Sequence, residues 1–208
     1  MMRYSIRTVA ILLAAALFFA FSACGKKVDG ETAVSAQPTE KASAEKTESD
    51  DVGMLAVYFP YDGLSEKTAS AAADITGAGL FALETVNGYS DSDDERAEQA
   101  KREAAEKARP ALKNRLEAMT PYRVLFLCAP LWENDLPMAV YTFLEDYDFR
   151  DRVIVLFCSS GGEDDAERFA QLIREKLPGA AVTDAMSVTD SDFDAAAVGT
   201  FIDNVLNG

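Results

Sequence analysis

From Met54 onward, short apolar runs alternate with longer stretches in which apolar residues recur every three or four positions. The first run, Leu55-Ala56-Val57-Tyr58-Phe59, breaks at Pro60 and Gly63 and gives way to an Ala-rich stretch over 65–76. That order predicts a strand, a tight turn and a helix packed closely on a sheet, closed by Gly77 and Gly79. A second short strand is predicted over 80–86, a turn-rich acidic stretch over 87–94 and a charged helix over 94–108 that Pro110 breaks. A further helical piece is expected over 111–119.

Residues 124–129 are continuously apolar, as befits a central parallel strand buried on both faces. A loop over 130–136 leads to a helix opened by Pro137, with Val140, Phe143, Leu144 and Tyr147 on one face. The pattern repeats with a strand at 153–158, a loop at 159–163 and a helix burying Phe169, Leu172, Ile173 and Leu177 until Pro178 and Gly179 stop it. A weaker strand at 181–185 passes through Asp190 and Asp192 to a last helix with Val198, Phe201, Ile202 and Val205 inward. Strand and helix thus alternate five times, which predicts an α/β domain with a parallel sheet covered on both sides.

The first 52 residues follow different rules. Arg3 and Arg7 precede an apolar run over 9–21, followed by Ser22, Ala23 and Cys24, the layout of a secretory signal. The run is short for a membrane span, which needs about 20 apolar residues. Its Phe21-Ser22-Ala23-Cys24 ending resembles the lipobox of bacterial lipoproteins, with Phe21 where Leu is usual. The resemblance implies cleavage after residue 23, a lipid on Cys24 that holds the protein to the bacterial cell membrane, and a folded domain outside the cytoplasm. Residues 24–52 are polar without apolar periodicity and read as a flexible tether to a domain over 53–208.

Composition narrows the chemistry. With 20 Lys and Arg against 35 Asp and Glu in 208 residues, the net charge of −15 excludes nucleic acid as a natural partner and disfavours docking on anionic lipid. The chain has no His, so imidazole base catalysis and His metal sites are excluded, and no Gly-x-Ser-x-Gly elbow suggests a hydrolase. The acidic group Asp91, Asp93, Asp94 and Glu95 lacks the alternation and Gly of a Ca²⁺ loop and reads as a solvated face. Cys128 and Cys158 end neighbouring predicted strands. Export permits a disulfide there, but facing Cys on adjacent strands seldom meet its torsion, so both are expected as small buried apolar residues.

Several segments in fixed order carry a family resemblance. They are Val57-Tyr58-Phe59, Ala108-Arg109-Pro110-Ala111-Leu112, Ala129-Pro130-Leu131-Trp132, Leu136-Pro137-Met138, Phe143-Leu144-Glu145 with Tyr147-Asp148-Phe149, and Phe157-Cys158-Ser159-Ser160-Gly161-Gly162. In this order the chain from Met54 resembles a flavodoxin-like domain of the kind found in bacterial flavodoxin-family proteins and lipoproteins. The resemblance implies a three-layer α/β/α sandwich with a five-stranded parallel sheet of order 2-1-3-4-5. It also implies an FMN site at the carboxyl ends of strands one, three and four. Electron transfer or reduction of a quinone or other small acceptor would follow, with a small-molecule electron donor or acceptor, or a redox protein, as partner.

Carried over residue by residue, the FMN site would comprise Tyr61, Asp62, Gly63, Leu64 and Ser65 at the phosphate, Pro130, Leu131 and Trp132 against the ring, and Ser159, Ser160, Gly161 and Gly162 at its polar edge. The family's first loop usually reads Ser-x-Thr-Gly-Asn-Thr; here Gly63 and Ser65 match, while Pro60, Asp62 and Leu64 depart. Pro60 removes a hydroxyl and an N–H, and Asp62 places a carboxylate where a hydroxyl would meet the phosphate. Glu133-Asn134-Asp135 stands where Gly usually follows the Trp and is expected to bring two carboxylates to the pocket mouth. These departures motivate the alternative, a flavodoxin-fold lipoprotein that has lost FMN and serves as a non-enzymatic binding or assembly module.

Overall fold

The computed structural model describes residues 53–208. The signal, the tether and the lipid-bearing Cys24 inferred from the sequence lie outside the described residues. Five strands, β1 (Gly53–Tyr58), β2 (Gly79–Ala82), β3 (Tyr122–Ala129), β4 (Val153–Cys158) and β5 (Ala181–Ser187), alternate with helices α1 (Gly63–Thr76), α2 (Asp93–Glu106), α3 (Met138–Asp146), α4 (Glu163–Lys176) and α5 (Ala195–Asn207). All strand pairs are parallel and the order is β2-β1-β3-β4-β5, as expected from the sequence.

The period-two alternation of the strands sorts side chains into two cores. Leu55, Val57, Phe59, Leu125, Leu127, Ile154 and Leu156 face α3 and α4, where Val140, Phe143, Phe169 and Ile173 cover them. Ala56, Val124, Phe126, Val155 and Phe157 face α1 and α5, meeting Ala69, Ala72, Val198 and Ile202. Alanines on α1 let its backbone lie close to the sheet, and Gly77 ends it in a left-handed conformation (φ 74°) with its N–H on the Ala73 carbonyl at 2.8 Å. Cys128 pairs in register with Phe157, and Cys158 with Ala129. The two cysteines therefore project into opposite cores, and both are free and buried.

Three expected boundaries are corrected. The second strand stops at Ala82 instead of running to Val86, and the fifth continues to Ser187. The segment 111–119 is not a helix. Leu112 forms an isolated antiparallel bridge with Thr85, the Val86 N–H donates to the Ala111 carbonyl, and the Lys113 N–H donates to the Glu84 carbonyl, both at 2.8 Å. The Leu116 N–H donates to the Tyr147 hydroxyl at 2.8 Å. Backbone groups that a helix would use internally are spent on these bonds to residues distant in sequence, although Leu112, Leu116 and Met119 repeat at helical spacing.

Candidate functional site

The loops after β1, β3 and β4 converge at the carboxyl edge of the sheet. The ladder runs slightly past the strand ends: the Phe59 N–H donates to the Cys128 carbonyl at 3.0 Å and the Ser159 N–H to the Ala129 carbonyl at 3.1 Å. The first loop is thereby held beside the last.

Asp62 is the N-cap of α1, with extended backbone (φ −131°, ψ 127°). Its Oδ1 accepts from the Ser65 N–H at 2.5 Å and its Oδ2 from the Ser65 hydroxyl at 2.8 Å. A third donor, the Ser159 hydroxyl, reaches the same Oδ2 at 2.8 Å from the loop after β4. The two hydroxyls also lie 2.7 Å apart, and Ser65 is fully buried. A helix N-terminus with free N–H groups and converging hydroxyls is the usual place for a ligand's anionic group. Here the anion is the protein's own carboxylate.

The remaining sequence-derived positions divide. Gly63, the first residue of α1, faces open space, with nothing within 4 Å of where a Cβ would stand. Leu64 turns inward and packs in the α1/α5 core, so its side chain does not line the cradle. Tyr61 folds away from the cradle: its hydroxyl accepts from the Thr85 N–H at 3.1 Å and lies 3.2 Å from the Thr85 hydroxyl. Pro130 and Leu131 are buried, and the Leu131 N–H donates to the Ser160 hydroxyl at 2.7 Å, tying the β3 loop to the β4 loop. Gly161 takes a positive φ of 63°, and a Cβ there would stand 1.7 Å from the Asp165 carboxylate, so the turn requires glycine. Gly162 is exposed and caps α4.

Trp132 is half-buried in a four-ring cluster that the sequence did not announce. Its indole meets Phe59 edge-to-face at 4.8 Å and Tyr89 at 5.1 Å, and Tyr61 meets the same two rings at 5.1 and 4.7 Å. Tyr89 sits in the stretch read only as an acidic turn; its hydroxyl donates to Glu103 at 2.7 Å. The aromatic residue within a polar loop was the available signal.

Trp132 is aimed by a two-residue reverse turn. The Trp132 N–H donates to the Asp135 carbonyl at 2.8 Å and the Asp135 N–H returns to Trp132 at 3.0 Å. Both central residues, Glu133 (φ 52°) and Asn134 (φ 61°), are left-handed without being glycine. Such a conformation costs about 1–2 kcal/mol per residue, less for Asn. Asp135 does not face the pocket mouth as expected from the sequence: its Oδ1 accepts from the Tyr141 hydroxyl at 2.6 Å and from the Leu136 N–H at 2.8 Å.

FMN implied by the resemblance does not fit this cradle as it stands. Asp62 takes the N–H and both hydroxyls that a phosphate would need. Two unit charges about 4 Å apart at an effective dielectric near 20 repel by about 4 kcal/mol, and a phosphate monoester carries nearly two charges. A helix N-terminus returns only about 0.3–2 kcal/mol.

Residues 53–204 match the protein family described as Flavodoxin. Among solved structures, a flavoprotein from Bacteroides uniformis ATCC 8492 is similar at 21% identity and TM-score 0.64, covering 74% of this chain and 99% of that one. A flavoprotein from Bacteroides eggerthii DSM 20697 gives 21% identity and TM-score 0.60, covering 74% and 97%. A flavoprotein from Lactobacillus acidophilus NCFM, solved in complex with FMN, gives 16% identity and TM-score 0.55, covering 67% and 94%. No curated protein matches the chain. The family match spans nearly the whole described domain, the solved structures share its fold, and the chain belongs to the flavodoxin family.

Proposed function

We propose that this protein is an exported flavodoxin-family lipoprotein, anchored through Cys24, that works outside the cytoplasm as a non-enzymatic binding or assembly module without phosphate-anchored FMN. The observation that carries this reading is Asp62, whose carboxylate is hydrogen-bonded into the helix N-terminal cradle by Ser65 and Ser159. A module that keeps its own anion there has a closed, self-satisfied turn in place of a cofactor socket. The anchor rests on the Arg3 and Arg7 flank, the apolar run over 9–21 and the Ser22-Ala23-Cys24 ending. In bacterial cells fed a labelled fatty acid, label incorporation that is lost in Cys24→Ser supports the anchor; label on both proteins or neither counts against it.

Titrating FMN with the purified protein and following flavin fluorescence tests the cofactor part. The expected result is no saturable quenching at tens of micromolar FMN. Quenching in that range, or a yellow protein after purification, overturns the reading.

A second reading has its own support: FMN-dependent electron transfer, or reduction of a quinone or other small acceptor. Leu131, next to Trp132 in sequence, is tied to the loop of Ser159, Ser160 and Gly161 through the Ser160 hydroxyl, so a flat electron-accepting ring against Trp132 would have that loop at its polar edge. The same titration decides for it if quenching saturates.

A further inference from the structure

Between α2 and the β3–α3 turn lies a cleft of about 280 Å³. Its floor is Ala97, Ala100 and Leu131, one wall is the indole of Trp132, and Glu133 and the Arg96–Asp93 pair form the rim. Residues 93, 96, 97 and 100 fall on one face of α2, and the two alanines there leave the room that a larger side chain would close. None of the residues of the Asp62 cradle lines the cleft, so the two places are separate.

From these features we infer that the cleft is a binding site for a planar aromatic molecule of about two fused rings, without an anionic group and best with a positive charge. This gives the binding-module reading its ligand class and rests on that reading. Trp132 lines the cleft in a fixed position: Phe59 and Tyr89 pack edge-to-face with the indole, and the left-handed Glu133-Asn134 turn fixes its backbone. Backbone strain held at one residue pair next to an aromatic wall is the pattern of a site kept in shape for a ligand.

Size and charge define the class. Small-molecule sites run from about 300 to 1,000 Å³, and a cleft of about 280 Å³, just below that range, suits a two-ring system better than a flavin with its ribityl phosphate. The Arg96 guanidinium is already committed, donating to the Ser90 carbonyl at 2.9 Å and pairing with Asp93. Asp93 balances its charge, and the exposed Glu133 adds a second carboxylate at the rim. An indole face and a carboxylate together favour a flat cation.

Trp132 is the only tryptophan of the chain, so indole fluorescence of the whole protein reports on this wall alone. The probe is N-methylquinolinium, with 2-naphthoate as its anionic counterpart. Saturable quenching by the cation below a millimolar is expected, with 2-naphthoate at least tenfold weaker. Ala97→Leu, which fills the floor, is expected to raise the dissociation constant at least tenfold while the unfolding transition stays cooperative. Glu133→Lys, exposed and independent of packing, is expected to weaken the cation at least fivefold and serves if Ala97→Leu does not fold.

Non-saturating quenching that is the same in wild type and the variants overturns the proposal, as does equal binding of the anion. FMN is titrated in parallel by flavin fluorescence. Flavin quenching there would defeat the FMN-free reading, whereas failure at Trp132 with FMN also unbound defeats only the cleft.

Discussion

The Asp62 carboxylate accepts a hydrogen bond from Ser159 at 2.8 Å across 97 positions of sequence, joining the loop after β1 to the loop after β4. With the two Ser65 bonds, one side chain serves as helix cap and as clasp between loops that flank the central strand β3. Removing it leaves the Ser65 N–H at the helix end without its acceptor, while the buried Ser65 hydroxyl keeps the Ser159 hydroxyl 2.7 Å away. Loss of an N-cap costs about 0.5–2 kcal/mol, and the lost hydrogen bond to Ser159 adds about 0.5–1.5 kcal/mol. Asp62→Ala is therefore expected to lower stability by roughly 1–3 kcal/mol, read as a shift of the urea midpoint at unchanged slope. A midpoint within experimental error of wild type would show that the clasp does not form. On the cofactor-free reading, Asp62→Thr with Pro60→Ser, which restores the hydroxyls usual in the family, is expected to quench flavin fluorescence in an FMN titration where the wild type does not; equal quenching by both proteins, or by neither, counts against it.

Gly63 separates the two readings of the same turn by another route. A cradle that admits a phosphate needs the bare backbone of a glycine, whereas a helix first turn does not. Because nothing approaches the open side of Gly63 and its φ is not left-handed, Gly63→Ala is expected to raise stability by about 0.4–1 kcal/mol. Thermal unfolding measures this; destabilisation beyond 1 kcal/mol would mean that the open side is filled in the folded protein.

The fold was legible because each apolar run carries its own period. Val124 to Ala129, apolar at every position, could only be a strand covered on both faces, and it is. Phe169, Leu172, Ile173 and Leu177 at helical spacing are all buried as anticipated. Failure came where local pattern and long-range bonding disagree: Leu112, Leu116 and Met119 repeat like a helix, but Thr85, Glu84 and Tyr147 take that segment's backbone groups. At the site, the sequence identified Asp62 as a departure in charge but not its role as resident anion. That role needs Ser159, which only the β3–β4 pairing brings near. Asp135 escaped for the same reason, since its partner Tyr141 is fixed by α3 and not by the loop. The Ala108-Arg109-Pro110 and Phe143-Leu144-Glu145 segments, recognised separately, meet as one bidentate ion pair.

Cys128 and Cys158 offer a check on the two-core arrangement. Burial pushes both thiols above their ordinary range, and Asp62 adds to the effect at Cys128. Thiolate is the reactive form, so neither is expected to be alkylated in the native domain near neutral pH, and both should be alkylated in denaturant. Mass spectrometry of the two tryptic regions distinguishes them from Cys24. Native labelling of either at the denatured rate, or recovery of a Cys128–Cys158 disulfide peptide, would contradict their placement on opposite faces of the sheet.

Arg109 grips Glu145 through two hydrogen bonds, Nε to Oε2 at 2.7 Å and Nη2 to Oε1 at 2.9 Å, while Lys176 pairs with the same carboxylate from α4. Arg109 also lies over the Tyr141 ring, 4.9 Å from its centroid. The Arg109 hydrogen bonds, then Lys176, hold the Glu145 carboxyl at about 2 against an ordinary value of 4.5. A carboxyl lowered on folding adds stability that is fully present above its unfolded value and is lost as pH falls through the folded one. The window is thus from about 4.5 down to about 2. Because the carboxylate is about a third exposed, solvent screening keeps the contribution near the ~0–1 kcal/mol of surface pairs, with the bidentate geometry favouring the upper end. Glu145→Gln is expected to lose up to about 1 kcal/mol at neutral pH and to flatten the fall in stability between pH 4.5 and 2. Urea unfolding at several pH values in both proteins measures it; parallel curves through that window would show that the Arg109 and Lys176 clamp contributes nothing to folding.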